Sequence, residues 1–154
     1  MIYLGADHRG YELKEKAKQW LAELAMPYED CGAGKYNKDD DYPDFATAVA
    51  NAVVLSLSKG QSSKGILFCG SGIGIAIAAN KVHGTRAGTA TMPEQVKAAV
   101  NDEDLNVIAI AADYTDEATA EKIIKIFLES KFSGEERHVR RISKITALEN
   151  ALDL

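Results

Sequence analysis

The sequence predicts an α/β protein built on one parallel sheet covered by helices on both faces. Two observations predict it. Short apolar runs, among them IYLGA (2–6), GILFC (65–69) and NVIAIAA (106–112), alternate with longer amphipathic stretches such as YELKEKAKQWLAELA (11–25) and DEATAEKIIKIFLES (116–130). The chain has 154 residues, of which 46% are hydrophobic and 27% charged, ordinary values for one globular unit with a sizeable core. Residues 1–154 are read as a single domain, without internal repeats or a low-complexity linker.

The elements follow in order. IYLGA (2–6) is strand-like. Residues 11–25 place Leu13, Ala17, Trp20, Leu21 and Leu24 on one stripe, the mark of a helix with a buried face. PYEDC (27–31) reads as a second strand. The acidic loop KYNKDDDYP (35–43) leads into helix-like DFATAVANAVVLSL (44–57). GILFC (65–69) is strand-like, and GIAIAANK (74–81) is compatible with a helix. TRAGTAT (85–91) reads as a strand despite its glycine, and PEQVKAAV (93–100) as a helix with proline in its first turn. NVIAIAA (106–112) is the clearest buried strand. Residues 116–130 and RHVRRISKITALENAL (137–152) read as amphipathic helices.

Composition excludes several classes of function. A net charge of −5 gives no basis for a nucleic-acid or anionic-membrane partner. No apolar run approaches the roughly 20 residues of a membrane span. MIYLGADHRG lacks the basic and apolar regions of a signal peptide. Cys31 and Cys69 form neither a CxxC pair nor a metal-ligand spacing, and the three histidines are scattered. These features predict a cytoplasmic, reduced protein with no structural metal.

In parallel sheets, ligands bind beyond the carboxyl ends of strands. The expected places are Ala6-Asp7-His8, the segment from Cys69 to Gly74, and the loop 101–105. Gly70, Gly72 and Gly74 allow several backbone N–H groups to face one point at a helix start, which makes an anion cradle. The spacing is not the dinucleotide fingerprint, and the segment lacks the Lys-Ser/Thr of a P-loop. A thiolate at Cys69 would be stabilised there and suit a nucleophile or base; the loop alone reads equally as a strand end packed with small residues. Asp7 and His8 sit where polar groups reach a ligand, but taken alone they read rather as an Asp that caps the next helix and a solvated His. Arg137 and Arg141, four apart, share one helix face and suit a phosphate, though such faces are often simply solvated.

Taken together, GADHRGYELKEK (5–16), DDDYPDFA (39–46), GILFCGSGIGIAIAANK (65–81) and RHVRRI (137–142) resemble the ribose-5-phosphate isomerase B and galactose-6-phosphate isomerase family, from residue 1 to about residue 148. The resemblance implies a three-layer αβα sandwich with a five-stranded parallel sheet. It implies aldose–ketose isomerisation of a sugar phosphate through an enediolate, without metal or cofactor. Its active sites would be shared across a homodimer or a dimer of dimers, with the helix from about residue 137 at the interface. Cys69 then matches the base, and Gly70, Ser71, Gly72, Ile73 and Gly74 the anion hole. Asp7 and His8 match ligands of sugar hydroxyls or phosphate, Tyr42 a tyrosine beside the substrate, and Arg137 and Arg141 phosphate ligands.

The pattern departs from that family at three positions. The usual His-Asn pair, which opens the sugar ring and binds the developing oxyanion, falls on Asp102 and Glu103, and a further phosphate-binding arginine falls on Asp113. Three readings follow: an isomerase with an altered substrate, a sugar-phosphate-binding protein of impaired activity, or one subunit of a mixed assembly. The intact Cys69 and glycine loop favour the first. With Asp102 as a tentative acid–base group and Glu103 as a tentative substrate ligand, the expected preference is for a short or open-chain sugar phosphate over ribose 5-phosphate.

Overall fold

The computed structural model describes residues 1–151. Strands and helices alternate as β1 (Ile2–Ala6), α1 (Tyr11–Glu23), β2 (Tyr28–Asp30), α2 (Tyr42–Ser58), β3 (Lys64–Cys69), α3 (Ile73–Ala79), β4 (Ala87–Ala90), α4 (Pro93–Glu103), β5 (Val107–Ala111), α5 (Glu117–Glu129) and α6 (Glu136–Ala151). The strands form one five-stranded sheet in the order β2-β1-β3-β5-β4, and every pairing is parallel.

The two-residue period of the strands divides the core in two. Ile66, Phe68, Ile108 and Ile110 pack with Leu13, Ala17 and Leu21 of α1, Val96 and Val100 of α4, and Ile123, Ile124 and Phe127 of α5. Leu67, Cys69, Val107 and Ala109 pack with Val49, Ala50 and Val53 of α2 and Ile75, Ala76 and Ala79 of α3. Burial on both faces is why these strands are continuous apolar runs rather than alternating ones. The result is the three-layer αβα sandwich expected from the sequence. Among the described residues, no helix is long and apolar enough to cross a membrane.

Element boundaries depart from expectation where local chemistry was hidden. α2 begins at Tyr42, because Asp41 stays extended and Pro43 fits the first helical turn. α4 runs to Glu103, where Asp104 turns left-handed at φ 49° and ends it. Residues 101–103 are therefore a helix end rather than loop. They lie before β5, at the amino end of the sheet, and not at the carboxyl end where the sequence reading placed a ligand. The expected helix end at Leu152 lies outside the described residues.

The strand order turns between β1 and β3. From β1 the chain moves outward to β2, and from β3 it moves to β4 at the opposite edge. Such a switch point leaves a crevice beyond the carboxyl ends of the two strands. α1 starts hard against it: a Cβ at Gly10 would overlap the backbone of Phe68, so only glycine admits the helix there.

Candidate active site

Asp7 follows β1 and Cys69 ends β3, at the crevice. The Cys69 thiol donates to Asp7 Oδ2 at 3.1 Å. Asp7 Oδ1 accepts from the backbone N–H groups of Arg9 and Gly10, both at 3.0 Å, so the carboxylate is fixed from both sides. Asp7 and Cys69 are 3% and 7% exposed, which keeps water off the pair. Asp7 thus holds the turn into α1, as the capping reading expected, and also meets Cys69.

The thiol is not the ready thiolate anticipated from the glycine loop. Burial pushes its pKa up, the Asp7 carboxylate adds to the rise, and the thiol stands at about 11. Backbone N–H groups of Gly72 and Gly70 at the sulfur act in the opposite sense and lose to burial and Asp7. Gly72 takes φ 72°, the left-handed conformation that turns the loop into α3. Ile73, 57% exposed, and Ser71 complete the loop, with Ser71 Oγ 3.4 Å from the Ile73 N–H.

The Tyr42 ring lies on Gly74, where a Cβ would collide with it. His8 is held rather than solvated: Asp40 Oδ1 accepts its backbone N–H at 2.9 Å and sits 2.7 Å from its Nδ1. The other Asp40 oxygen is buried without a hydrogen-bond partner among the described residues. Asp113, where a deficit of positive charge was expected, pairs with the guanidinium of Arg9.

Asp102 and Glu103 lie at the end of α4, and Arg137 and Arg141 near the start of α6. Asp102 is on the last turn of α4, with Oδ1 2.8 Å from Asn101 Nδ2 and 3.5 Å from His138 Nδ1. His138, the buried residue of α6, also meets Ser133 Oγ at 3.2 Å and the Asn101 carbonyl at 3.4 Å, which docks α6 on the end of α4. Arg137 donates from Nε to Glu135 at 2.9 Å, and both Arg137 and Arg141 are exposed. In one chain these residues lie at the amino end of the sheet, away from Cys69.

The profile of the ribose/galactose isomerase family matches residues 2–145. The chain belongs to that family. It is 38% identical over 148 residues to ribose-5-phosphate isomerase B of Mycobacterium tuberculosis, covering 96% of this chain and 89% of the relative. It is 36% identical over 148 residues to the putative sugar phosphate isomerase YwlF of Bacillus subtilis, covering 96% of each. Ribose-5-phosphate isomerase B from Mycoplasma genitalium, solved with bound ribulose-5-phosphate, superposes with a TM-score of 0.89 at 34% identity, covering 97% of this chain and 95% of that one. The Clostridium thermocellum enzyme of the same name gives 0.90 at 35% identity, covering 97% of each.

Of the residues singled out in the sequence of this ribose/galactose isomerase, the fold brings Asp7 to Cys69 and Tyr42 to Gly74 of the glycine loop, and holds His8, next to Asp7, on Asp40. Sequence reasoning missed Arg9, Asp40 and His138. Arg9 sits inside GADHRG, but nothing in that segment says that its partner is 104 positions away. Asp40 lay within an acidic run, DDD, whose members are indistinguishable until the loop is folded.

Proposed function

We propose that the chain is a metal-independent aldose–ketose isomerase of a sugar phosphate, with Cys69 as the carbon base. The contact between Cys69 and Asp7 under the glycine loop carries this reading. Asp7 accepts the thiol proton and leaves a thiolate, which removes a proton from the carbon beside the carbonyl. Charge moves to the oxygens, and the N–H groups of residues 70–74 stabilise the enediolate. The sulfur returns its proton to the neighbouring carbon while the hydroxyl proton crosses between the two oxygens, and Asp7 gives the first proton back to the sulfur. Protons and electrons balance, and no oxidant enters. His8 and Tyr42 hold the sugar phosphate from the rim.

The division of candidate residues between two ends of the sheet supports a site shared by two copies in a homodimer, with Arg137 and Arg141 of a second copy meeting the phosphate held at His8. Asp102 takes the place of the family's ring-opening histidine, which removes the side chain that gives and takes a proton near neutral pH. A tetrose 4-phosphate cannot close a five-membered ring, because its O4 carries the phosphate. The substrate is accordingly a short or open-chain sugar phosphate in preference to ribose 5-phosphate.

A screen of four-, five- and six-carbon sugar phosphates for aldose–ketose interconversion tests the activity. A kcat/KM higher for erythrose 4-phosphate than for ribose 5-phosphate is the expected result, and a clear preference for ribose 5-phosphate rejects the substrate assignment. The carboxylates at Asp102 and Glu103 favour one competing reading, a binding protein. It would raise the melting temperature with a sugar phosphate and leave that ligand chemically unchanged.

A further inference from the structure

We propose that Arg9 binds the anionic group of the substrate and that Asp113 orients it. The assignment of that group as a sugar's phosphate rests on the isomerase reading; the anion site itself rests on geometry.

Arg9 belongs to the framework of the reacting pair. Its backbone N–H donates to Asp7 Oδ1, while Asp7 Oδ2 holds the Cys69 thiol. Its guanidinium lies on the backbone of Gly70, and a Cβ at Gly70 would overlap it, so glycine at this position makes room for the cation. Asp113 takes an N–H from Arg9 Nη2, and its own backbone N–H donates to the Gly70 carbonyl at 3.1 Å. Both charges are thus tied to the loop that follows Cys69.

The pair is poorly placed to serve stability alone. The Arg9 and Asp113 side chains are 54% and 34% exposed, and exposed ion pairs contribute little. A guanidinium carries five N–H groups in a fixed fork, and the contact to Asp113 takes one side of it. The rest of the fork stays open to an oxyanion arriving at the loop, in the bidentate manner that suits phosphate. Arginine also stays charged at every pH of interest. The arrangement further explains how an aspartate is tolerated there: Arg9 neutralises Asp113, which alone would repel a phosphate.

The test compares wild type, Arg9→Ala and the double variant Arg9→Ala/Asp113→Ala. Calorimetric binding of inorganic phosphate and of ribose 5-phosphate is measured beside steady-state kinetics on whichever sugar phosphate is turned over. Arg9→Ala is expected to weaken phosphate binding and raise KM by about tenfold to a hundredfold, with a smaller change in kcat. The double variant restores unliganded stability if the orphaned Asp113 costs any, yet stays at least about tenfold weaker for phosphate. Unchanged binding in Arg9→Ala overturns the proposal. So does wild-type affinity in the double variant, which would reduce Arg9 to a counter-charge, or a wild-type protein that binds neither ligand. If no sugar phosphate is isomerised, the isomerase reading fails and the phosphate titrations still decide the role of Arg9. If turnover is normal and indifferent to Arg9, the isomerase reading stands and this one falls.

Discussion

In the proposed mechanism Cys69 carries two opposed demands, since it holds a proton at rest and surrenders it to Asp7 during turnover. A thiol at about 11 is scarcely ionised near neutrality, but its thiolate is a stronger base once formed. Cys69→Ala removes the base from a small buried site, so turnover is expected to fall by about a hundredfold to ten-thousandfold while the folded structure persists. Near-normal turnover would remove Cys69 from the mechanism. The pH dependence follows from the internal transfer: the proton passes to Asp7 and not to solvent, so kcat/KM should stay flat from neutrality up towards the thiol's pKa of about 11, whereas a base that ionised to solvent would make it climb by about tenfold per unit. Asp7→Asn deletes a cause of the rise, and the thiol should titrate at a lower pH than in wild type. Cys31 is also pushed up to about 11, mainly by burial, so ultraviolet thiolate titration is best read in a Cys31→Ala background. An unchanged Cys69 titration in Asp7→Asn would mean that burial alone sets it. Cys69 stood out in the sequence from its place before GSGIG. Its protonation was not legible there, because that depends on a carboxylate 62 positions earlier and on helices packed over it.

β3 shows the same coupling at the level of an element, because its two ends titrate in opposite directions. At its start, Lys64 donates from Nζ to the carbonyls of Phe127 and Ser130 and sits over the Phe127 ring. It thereby caps α5, which has no basic residue in its own last turn. Burial lowers the Lys64 pKa to about 8, from an unfolded value of 10.5. The unfolded chain therefore binds the extra proton between those values, and this group makes stability rise with pH from about 8. Cys69 and Cys31 do the reverse: the folded chain keeps protons that the unfolded chain loses above 9.0, so stability falls between 9.0 and about 11. Stability should peak near pH 9, as read by urea midpoints across the alkaline range. Lys64→Met should abolish the rising limb, keep the falling one, and cost about 1–2 kcal/mol through the lost α5 caps. A midpoint that declines steadily from pH 8 in wild type would contradict the assignment for Lys64. The strand itself was plain from GILFC, whereas its lysine cap was not, because its acceptors lie 63 and 66 positions on.

Across the whole molecule, the alternation of apolar runs and amphipathic stretches was enough to anticipate a parallel sheet with both faces covered, since each buried strand must be apolar throughout. It was not enough to say which residues share a site. Topology decides that, and it sends Cys69 to one end of the sheet and Asp102 to the other. α6 sharpens the point. His138 is its buried residue, whereas Val139, Ile145 and Leu148 are exposed although the helix is amphipathic. Ile145 and Leu148, three apart, share one exposed face that fits the proposed second copy, which would also carry Arg137 and Arg141 to the crevice beside His8 and Arg9. The shared site makes a prediction that no single-chain site can match. Cys69→Ala and Arg141→Ala should each be inactive, or nearly so, as pure proteins. Mixed after partial unfolding and reassembly, half the dimers would be hybrids, and each hybrid would contain one site with an intact Cys69 and an intact Arg141. Activity should return to about a quarter of the wild-type rate. If each chain held a complete site of its own, the mixture would do no better than the average of its two parts. Leu148→Glu supplies the matching control: it should lower the dimer fraction in ultracentrifugation and the turnover together, and a fully active monomer would refute the shared site.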